Sequence, residues 1–211
     1  MSPGSTSLER AKALLYRWPA DFTGFSADLL LTDAALTFRG TVRIEAGRPA
    51  EPEITLEGAS DEQVGWVARQ LTSLVTHRSA RHEDDEAGLT VTEDSTDHPL
   101  GVLVTTDDRF GSTYRIRGDW ITEITRHTPS TTVRVYVVNR VTTSDGRFLP
   151  CHLAATLSDP ETGAITGLEL LDERYVEVDG VMLPARRSVV SQSSRGVVTR
   201  VVELGAHGKA E

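Results

Sequence analysis

The side chains best able to do chemistry in this sequence are its six histidines, two of which lie close together in LVTHRSARHEDD. Imidazole binds transition metals and transfers protons near neutral pH. On a helix, the five-residue spacing of His77 and His82 separates the rings by about 140° around the axis, and on a strand the two rings point to opposite faces. One shared metal therefore requires an irregular loop. We favour the alternative, in which His77 lies at the negative end of a helix dipole and Arg78, Arg81 and the acids at 83–86 form a solvated cluster.

Four histidines are the candidate metal ligands of the chain: His77, His82, His127 and His152. Three of them converging in space would suit copper, iron or zinc. The only cysteine, Cys151, excludes a disulfide framework within the chain and is interpreted as a core thiol. The sequence contains no phosphate-binding glycine loop, dinucleotide fingerprint, GxSxG or HExxH motif, so it predicts no nucleotide cofactor.

The hairpin around Asp145-Gly146 can be tested for its strand register. A two-residue turn would pair Arg140 with Cys151, whereas a three-residue loop with Gly146 in the left-handed conformation shifts the pairing by one residue. We prefer the second register because it makes one face of the hairpin apolar throughout. Its pairs are Val133 with Leu157, Val135 with Ala155, Val137 with Leu153 and Val141 with Leu149.

The preferred register also defines the candidate ligand-binding residues. His152 lies on the polar face of the hairpin, with Tyr136, Val138 and Arg140 as its neighbours across the two strands. Together with Tyr114 from an earlier strand, Tyr136, Arg140 and His152 could anchor an anionic or phenolic ligand or serve acid–base chemistry. The alternative, which we favour for this face, is that these residues simply meet solvent.

Capping patterns and hydrophobic periodicity predict two helices, over residues 7–18 and 60–76. Thr6 with Glu9, and Ser60 with Gln63, have the spacing of a capping box, and apolar residues then recur at helical intervals. The remaining chain alternates as strands between turn signals. The candidate strands are 25–32, 35–46, 52–58, 88–93, 101–106, 112–117, 120–127, 132–142, 147–158, 164–177, 182–192 and 197–204.

Short connections between so many strands indicate antiparallel neighbours. At Asp179-Gly180, a two-residue turn would set Glu173 opposite Arg186 and Asp172 opposite Arg187. The predicted fold class is α+β: a curved, mostly antiparallel sheet of about ten strands, forming an open half-barrel with the two helices packed on its concave face. Such an arrangement often leaves an apolar cavity between the helices and the sheet.

Composition bounds the function further. The chain has 211 residues and a net charge of −9, which fits a single domain over 1–211 with loose termini at 1–6 and 205–211, and disfavours nucleic-acid binding. No apolar run approaches the roughly 18 residues of a membrane span or forms a signal-peptide core. A cytoplasmic location is expected. An exposed edge strand could support a homodimer.

Several stretches resemble a known family. They are LLYRWPADFTGFSADL, HRSARH, FGSTYRIRGDWI, SDGRFLPCHLAATLSDPETG and DERYVEVDGVMLPARRSVV. In this order they resemble the family called domain of unknown function 3386, over roughly residues 8–205. That family implies no settled activity and no catalytic residues, although the pair His77-Arg78 is the stretch most associated with it. The layout is also similar to LolA-like lipoprotein carriers, which hold acyl chains between a half-barrel and its helices.

Three functions remain open at this stage. The first is a protein that binds a small apolar or amphipathic molecule between sheet and helices. The second is an enzyme of specialised metabolism acting in the same cavity, with or without a histidine-bound metal. The third is a structural or assembly module without a small ligand.

Overall fold

A computed structural model describes residues 6–45, 51–79, 90–94 and 97–209. It contains two helices, α1 (Ser7–Ala13) and α2 (Asp61–Thr76), and both begin with the predicted capping box, at Thr6 and at Ser60. Helix α1 is shorter than the predicted 7–18. It ends early because the next turn of chain pairs with a strand instead: Phe148 donates its backbone N–H to the Leu14 carbonyl, and Tyr16 donates to the Phe148 carbonyl.

Within the described residues, twelve strands form one sheet, in the order β3-β2-β1-β12-β11-β10-β9-β8-β7-β6-β5-β4. They are β1 (Gly24–Asp33), β2 (Leu36–Glu45), β3 (Glu53–Leu56), β4 (Val91–Asp94), β5 (Val102–Thr106), β6 (Thr113–Arg117), β7 (Trp120–His127), β8 (Thr132–Thr142), β9 (Phe148–Ser158), β10 (Ile165–Val178), β11 (Val181–Ser193) and β12 (Gly196–Lys209). The predicted antiparallel pairing is confirmed for β1 to β3 and for β4 to β9. The predicted number of about ten strands is wrong because the short segments β3 and β4 also pair, at the two ends of the sheet.

The C-terminal residues 205–209 belong to the sheet, so the prediction that they are loose is wrong. Gly205 pairs with Asp28 and Lys209 pairs with Phe25 as β12 runs antiparallel to β1. The sequence conceals this part of the strand because its glycines interrupt the alternation of apolar and polar side chains that marks a strand. Residues 1–5 and 210–211 lie outside the described residues.

The chain forms two compact units. Unit 1 comprises residues 1–16, 86–171 and 190–197, and unit 2 comprises residues 17–85, 172–189 and 198–211. Three strands, β10, β11 and β12, each contribute residues to both units. That residues 1–211 fold as one domain stays a prediction.

Each helix packs on strands of its own unit. In unit 1, Leu8 and Ala11 of α1 form a core with side chains of β5, β6 and β7: Val104, Tyr114, Ile116 and Ile121. In unit 2, Gln63 of α2 donates from its side chain to Asp33 of β1, 3.0 Å away, and Arg200 of β12 pairs with Glu62. The hydrophobic side chains of α2 are fully buried at Val67, Leu71 and Val75.

The hairpin of β8 and β9 agrees with its predicted register, whereas that of β10 and β11 agrees only at its turn. Gly146 has a φ of 82°, and all four pairs of the preferred β8–β9 register are present, so that prediction is confirmed. Asp179 and Gly180 form the expected two-residue turn with φ values of 50° and 80°. The predicted charge pairs beyond that turn are wrong. Asp172 instead pairs with Arg186, and Glu173 pairs with Arg187.

Candidate functional site

Three strands of unit 1 carry a continuous set of apolar side chains on one side of the sheet. Ile124 of β7 lies opposite Val135 of β8, which lies opposite Ala155 of β9. Residues directly opposite each other in antiparallel strands share a face, so this row and its neighbours form one surface. We call it the apolar face, and it consists of Ile124, Val133, Val135, Val137, Leu153, Ala155 and Leu157.

The apolar face is only partly sealed. Of its seven side chains only Ala155 is buried, and the other six keep intermediate exposure. By contrast, the row beside it, which α1 covers, is closed: Tyr114, opposite Ile124, is only 3% exposed. Gly167 of β10 continues the surface without a side chain, because a Cβ at Gly167 would lie 3.3 Å from Leu157 Cδ1. The face is therefore an apolar strip that stays partly exposed, with Leu157 packed closely on Gly167 at one side.

The structure separates the four predicted ligand-binding residues. Tyr114 lies in the α1 core, with Lys12 Nζ 5.3 Å from the centre of its ring. Tyr136 follows Val135 in β8 and so points away from the apolar face, opposite Glu123 and Ala154. Tyr114 therefore does not share a site with Tyr136, which lies on the other side of the sheet.

His152 and Arg140 lie close to Tyr136 in sequence and strand pairing but have different neighbours. His152 is exposed and pairs with Asn139, because a bulge at Val138 shifts the register by one residue. The guanidinium of Arg140 stacks on two rings instead, 4.4 Å from the centre of Trp120 and 4.5 Å from that of Phe148. Both His152 and Arg140 are exposed to solvent.

The candidate metal ligands are also dispersed. His77 is the exposed C-cap of α2, as expected from the helix pattern, and His127 ends β7 with its Nδ1 3.0 Å from Thr132 Oγ1. His77 belongs to unit 2, whereas His127 and His152 belong to unit 1. His82 lies outside the described residues. Within residues 6–45, 51–79, 90–94 and 97–209, no three His, Cys, Asp or Glu side chains are grouped to hold a metal ion.

Unit 2 contains a feature that the sequence did not predict, a buried set of charges on α2, β10 and β11. We call it the ionic network, and it consists of Gln70, Arg78, Glu173, Tyr175 and Arg187. Arg187 donates from Nε to Glu173 Oε1 at 3.0 Å and from Nη1 to the Gln70 carbonyl at 2.7 Å. Tyr175 donates its hydroxyl to the other carboxylate oxygen of Glu173. The same hydroxyl accepts a hydrogen bond from Arg78 Nη2 at 2.7 Å.

Burial and charge together set the protonation of the network. Burial alone would raise the pKa of Glu173, but the neighbouring charges of Arg187 and Arg78 outweigh it and lower that pKa below the ordinary value. Burial raises the pKa of the Tyr175 hydroxyl, and the negative charge of the Glu173 carboxylate raises it further. The carboxylate is therefore ionised and the phenol neutral at neutral pH. The solvated role expected for Arg78 is wrong, because Arg78 is only 7% exposed.

The ionic network also holds the chain that follows α1. Trp18 donates its backbone N–H to the Arg78 carbonyl at 2.9 Å and its indole N–H to the Met182 carbonyl at 3.0 Å. Three of the segments that carried the family resemblance thus meet in unit 2, around Trp18, Arg78 and Glu173. The His77-Arg78 pair was the one sequence signal that pointed here, and it is Arg78 that makes the contacts.

A cleft of about 350 Å³ lies elsewhere in unit 2, on β1, β2 and β3. Its walls are polar and charged, with Asp28, Arg43 and Glu53 among them, and Arg43 pairs with Glu53. It differs in both place and polarity from the apolar cavity predicted between helices and sheet.

A sequence model described as "Protein of unknown function (DUF3386)" matches residues 5–204. The chain belongs to the DUF3386 family. This confirms the resemblance identified from the sequence. No curated protein matches the chain.

Two solved structures resemble this DUF3386 protein at low identity. One is a LolA superfamily protein from Nitrosomonas europaea, with 12% identity, a TM-score of 0.37 and coverage of 97% of this chain and 92% of that chain. The other is a DUF1329 family protein from Desulfovibrio piger, with 8% identity, a TM-score of 0.34 and coverage of 96% and 90%. Among the helices of the described residues, none is long and apolar enough to cross a membrane.

Proposed function

We propose that this DUF3386 protein binds a small apolar or amphipathic molecule, and that the molecule lies on the apolar face of unit 1. The observation that carries the proposal is the partial burial of six apolar side chains aligned across β7, β8 and β9. Covering apolar surface stabilises by about 25 cal/mol per Å², so a contiguous strip left partly open favours an apolar partner.

Two features fit a small molecule on this face. The strip continues directly from the α1 core through Ile124, which gives the site a rigid wall on one side. On the other side, Leu157 packs so closely on Gly167 that a Cβ there would lie 3.3 Å from Leu157 Cδ1, which gives the strip a second wall. Rigid apolar walls with a few polar groups at their edges are typical of small-molecule sites.

Native mass spectrometry of the purified protein, followed by analysis of the denatured sample for released small molecules, tests the proposal. We expect an apolar or amphipathic compound to co-purify with the protein. A fluorescent apolar probe should bind the protein once this compound has been removed, and adding the compound back should displace the probe. Leu153→Glu places a charge on the apolar face and should abolish probe binding.

Arg134→Gln is the matched control for that variant. Arg134 lies next to Val133 in β8 but on the opposite side of the sheet, where it pairs with Glu123. Its replacement should leave probe binding unchanged. Equal binding by wild type and Leu153→Glu, with both folded by circular dichroism, would exclude the apolar face as the site.

A further inference from the structure

One end of the apolar face carries a positive charge that the rest of the face lacks. Arg126 of β7 lies directly opposite Val133, which lies opposite Leu157, so the three residues share the face. The Arg126 Nε is buried and makes no hydrogen bond in the part of the chain that the structure describes. A buried guanidinium nitrogen without an acceptor is costly, and an anionic group is its natural partner.

A second arginine lies beside the first. Phe110, in the loop between β5 and β6, has the guanidinium of Arg109 at 4.5 Å and that of Arg126 at 5.9 Å from its ring centre. The loop is held against the end of β7, because the His127 backbone N–H donates to the Phe110 carbonyl at 3.0 Å. The two cations thus share one aromatic ring at the end of the strip.

The two acids of the same loop make hydrogen bonds to the backbone. Asp108 accepts from the backbone N–H groups of Phe110 and Ser112, each at 2.9 Å, and Asp107 accepts from that of Thr90 at 2.8 Å. Across residues 6–45, 51–79, 90–94 and 97–209, no ion pair is formed by Arg109 or Arg126. In a chain of net charge −9, two arginines that share one aromatic ring and form no ion pair within the described residues indicate a site for an external anion.

We propose that Arg126 and Arg109 bind the anionic head group of a single-chain amphiphile whose apolar chain lies along the apolar face. The inference rests on the proposed function and narrows its ligand to long-chain carboxylates and similar anionic amphiphiles. Guanidinium groups bind carboxylates with two parallel hydrogen bonds, which fixes the head group at one end. From β7 to β9 the strip is about 10 Å wide, two strand spacings, which accommodates an extended alkyl chain.

The test compares two ligands with the same chain, decanoate and decanol, by titration calorimetry on delipidated protein at low ionic strength. We expect decanoate to bind at least about tenfold more tightly than decanol, since a charged hydrogen bond contributes about 1.5–3 kcal/mol. Arg126→Gln should weaken decanoate binding about tenfold and leave decanol binding unchanged. Added salt should weaken decanoate binding only.

Two further variants complete the test. Arg109→Gln changes an exposed side chain and should reduce decanoate affinity several-fold even if Arg126→Gln folds poorly. Arg134→Gln, on the other side of the sheet, should bind both ligands like the wild type. Equal affinity of the wild type for decanoate and decanol would overturn the head-group assignment and leave the proposed function standing. Binding of neither ligand would overturn both.

Discussion

The two units of this DUF3386 protein differ in how far their strands are covered by other side chains. In unit 2 the side chains that support α2 are closed, with Leu71, Val75 and the carboxylate of Glu173 all inaccessible. In unit 1 a comparable set of apolar residues on β8 and β9 stays half exposed. The core beneath α2 in unit 2 is therefore closed to water, while the apolar face of unit 1 stays partly accessible.

The largest effect is expected from removing the charge at the centre of the ionic network. Glu173→Gln leaves Arg187 and Arg78 buried without their carboxylate, which should lower the free energy of unfolding by about 3–5 kcal/mol. Urea denaturation measures the loss. Asp172→Asn is the control, because the adjacent Asp172 forms a half-exposed pair with Arg186 and should lose about 1 kcal/mol or less. Similar losses of stability for both variants would contradict the larger contribution expected of the buried Glu173 carboxylate.

The same network predicts a pH dependence. Because the pKa of Glu173 is lower in the folded than in the unfolded protein, its contribution is fully present above the ordinary glutamate pKa and is lost as the pH falls through the lowered value. The wild type should therefore lose more stability on acidification than Glu173→Gln does. Parallel stability curves for the two proteins between neutral and acid pH would contradict the lowered pKa.

A pair of leucine truncations compares the closed and the open surface directly. Leu71→Ala in α2 removes a side chain that is 1% exposed and should cost about 2–5 kcal/mol. Leu157→Ala on the apolar face should cost only about 1 kcal/mol, because water already reaches that side chain. Thermal unfolding of the two variants and the wild type, with and without an apolar ligand, measures the stability losses and the effect of the ligand. The ligand should raise the Tm of the wild type and of Leu71→Ala more than that of Leu157→Ala.

The local features of this contrast were predictable from the sequence, and the long-range ones were not. Alternation on both sides of Gly146 was enough to identify the register that builds the apolar face. The partners of Glu173 were counted from the two-residue turn at Asp179-Gly180, which assumes regular alternation up to Arg186. Leu183 and Pro184 are consecutive and both buried, so β11 does not alternate regularly there. Arg78 reaches Tyr175 across 97 positions of sequence, a contact that no local pattern reports.

The grouping of Arg126 with Phe110, on which the proposed head-group site rests, was not predicted for a related reason. Phe110 and Arg126 belong to a loop and to a strand end, and their proximity depends on the hydrogen bond from His127 that docks the loop. An arginine at the end of an apolar row is visible in the sequence only once the register of β7 and β8 is known.

Tyr175→Phe separates the hydrogen-bonded part of the ionic network from its charges. The variant removes the hydroxyl that joins Arg78 to Glu173 and keeps both ions and the ring packing. We expect a loss of about 1.5–3 kcal/mol in the free energy of unfolding, less than for Glu173→Gln, since Arg78 and Arg187 keep their carboxylate and only the hydrogen bonds of the hydroxyl are lost. Because the pKa of Tyr175 is raised by folding, its contribution is present below the ordinary tyrosine pKa and is lost at higher pH. Tyr175→Phe should thus be less sensitive to alkali than the wild type.

The smallest effects come from the two capping boxes, and they show whether the units unfold together. Thr6→Ala at α1 and Ser60→Ala at α2 each remove one cap and should cost about 1 kcal/mol. Trp120 reports on unit 1, and Trp18 and Trp66 report on unit 2, so tryptophan-to-phenylalanine variants can follow each unit alone. If the chain is one domain, either cap variant shifts the transitions of both reporters equally, because β10, β11 and β12 run through both units. A shift of the Trp120 transition alone in Thr6→Ala would instead mean that the open unit melts independently, and that ligand binding on its apolar face could stabilise it without affecting the closed one.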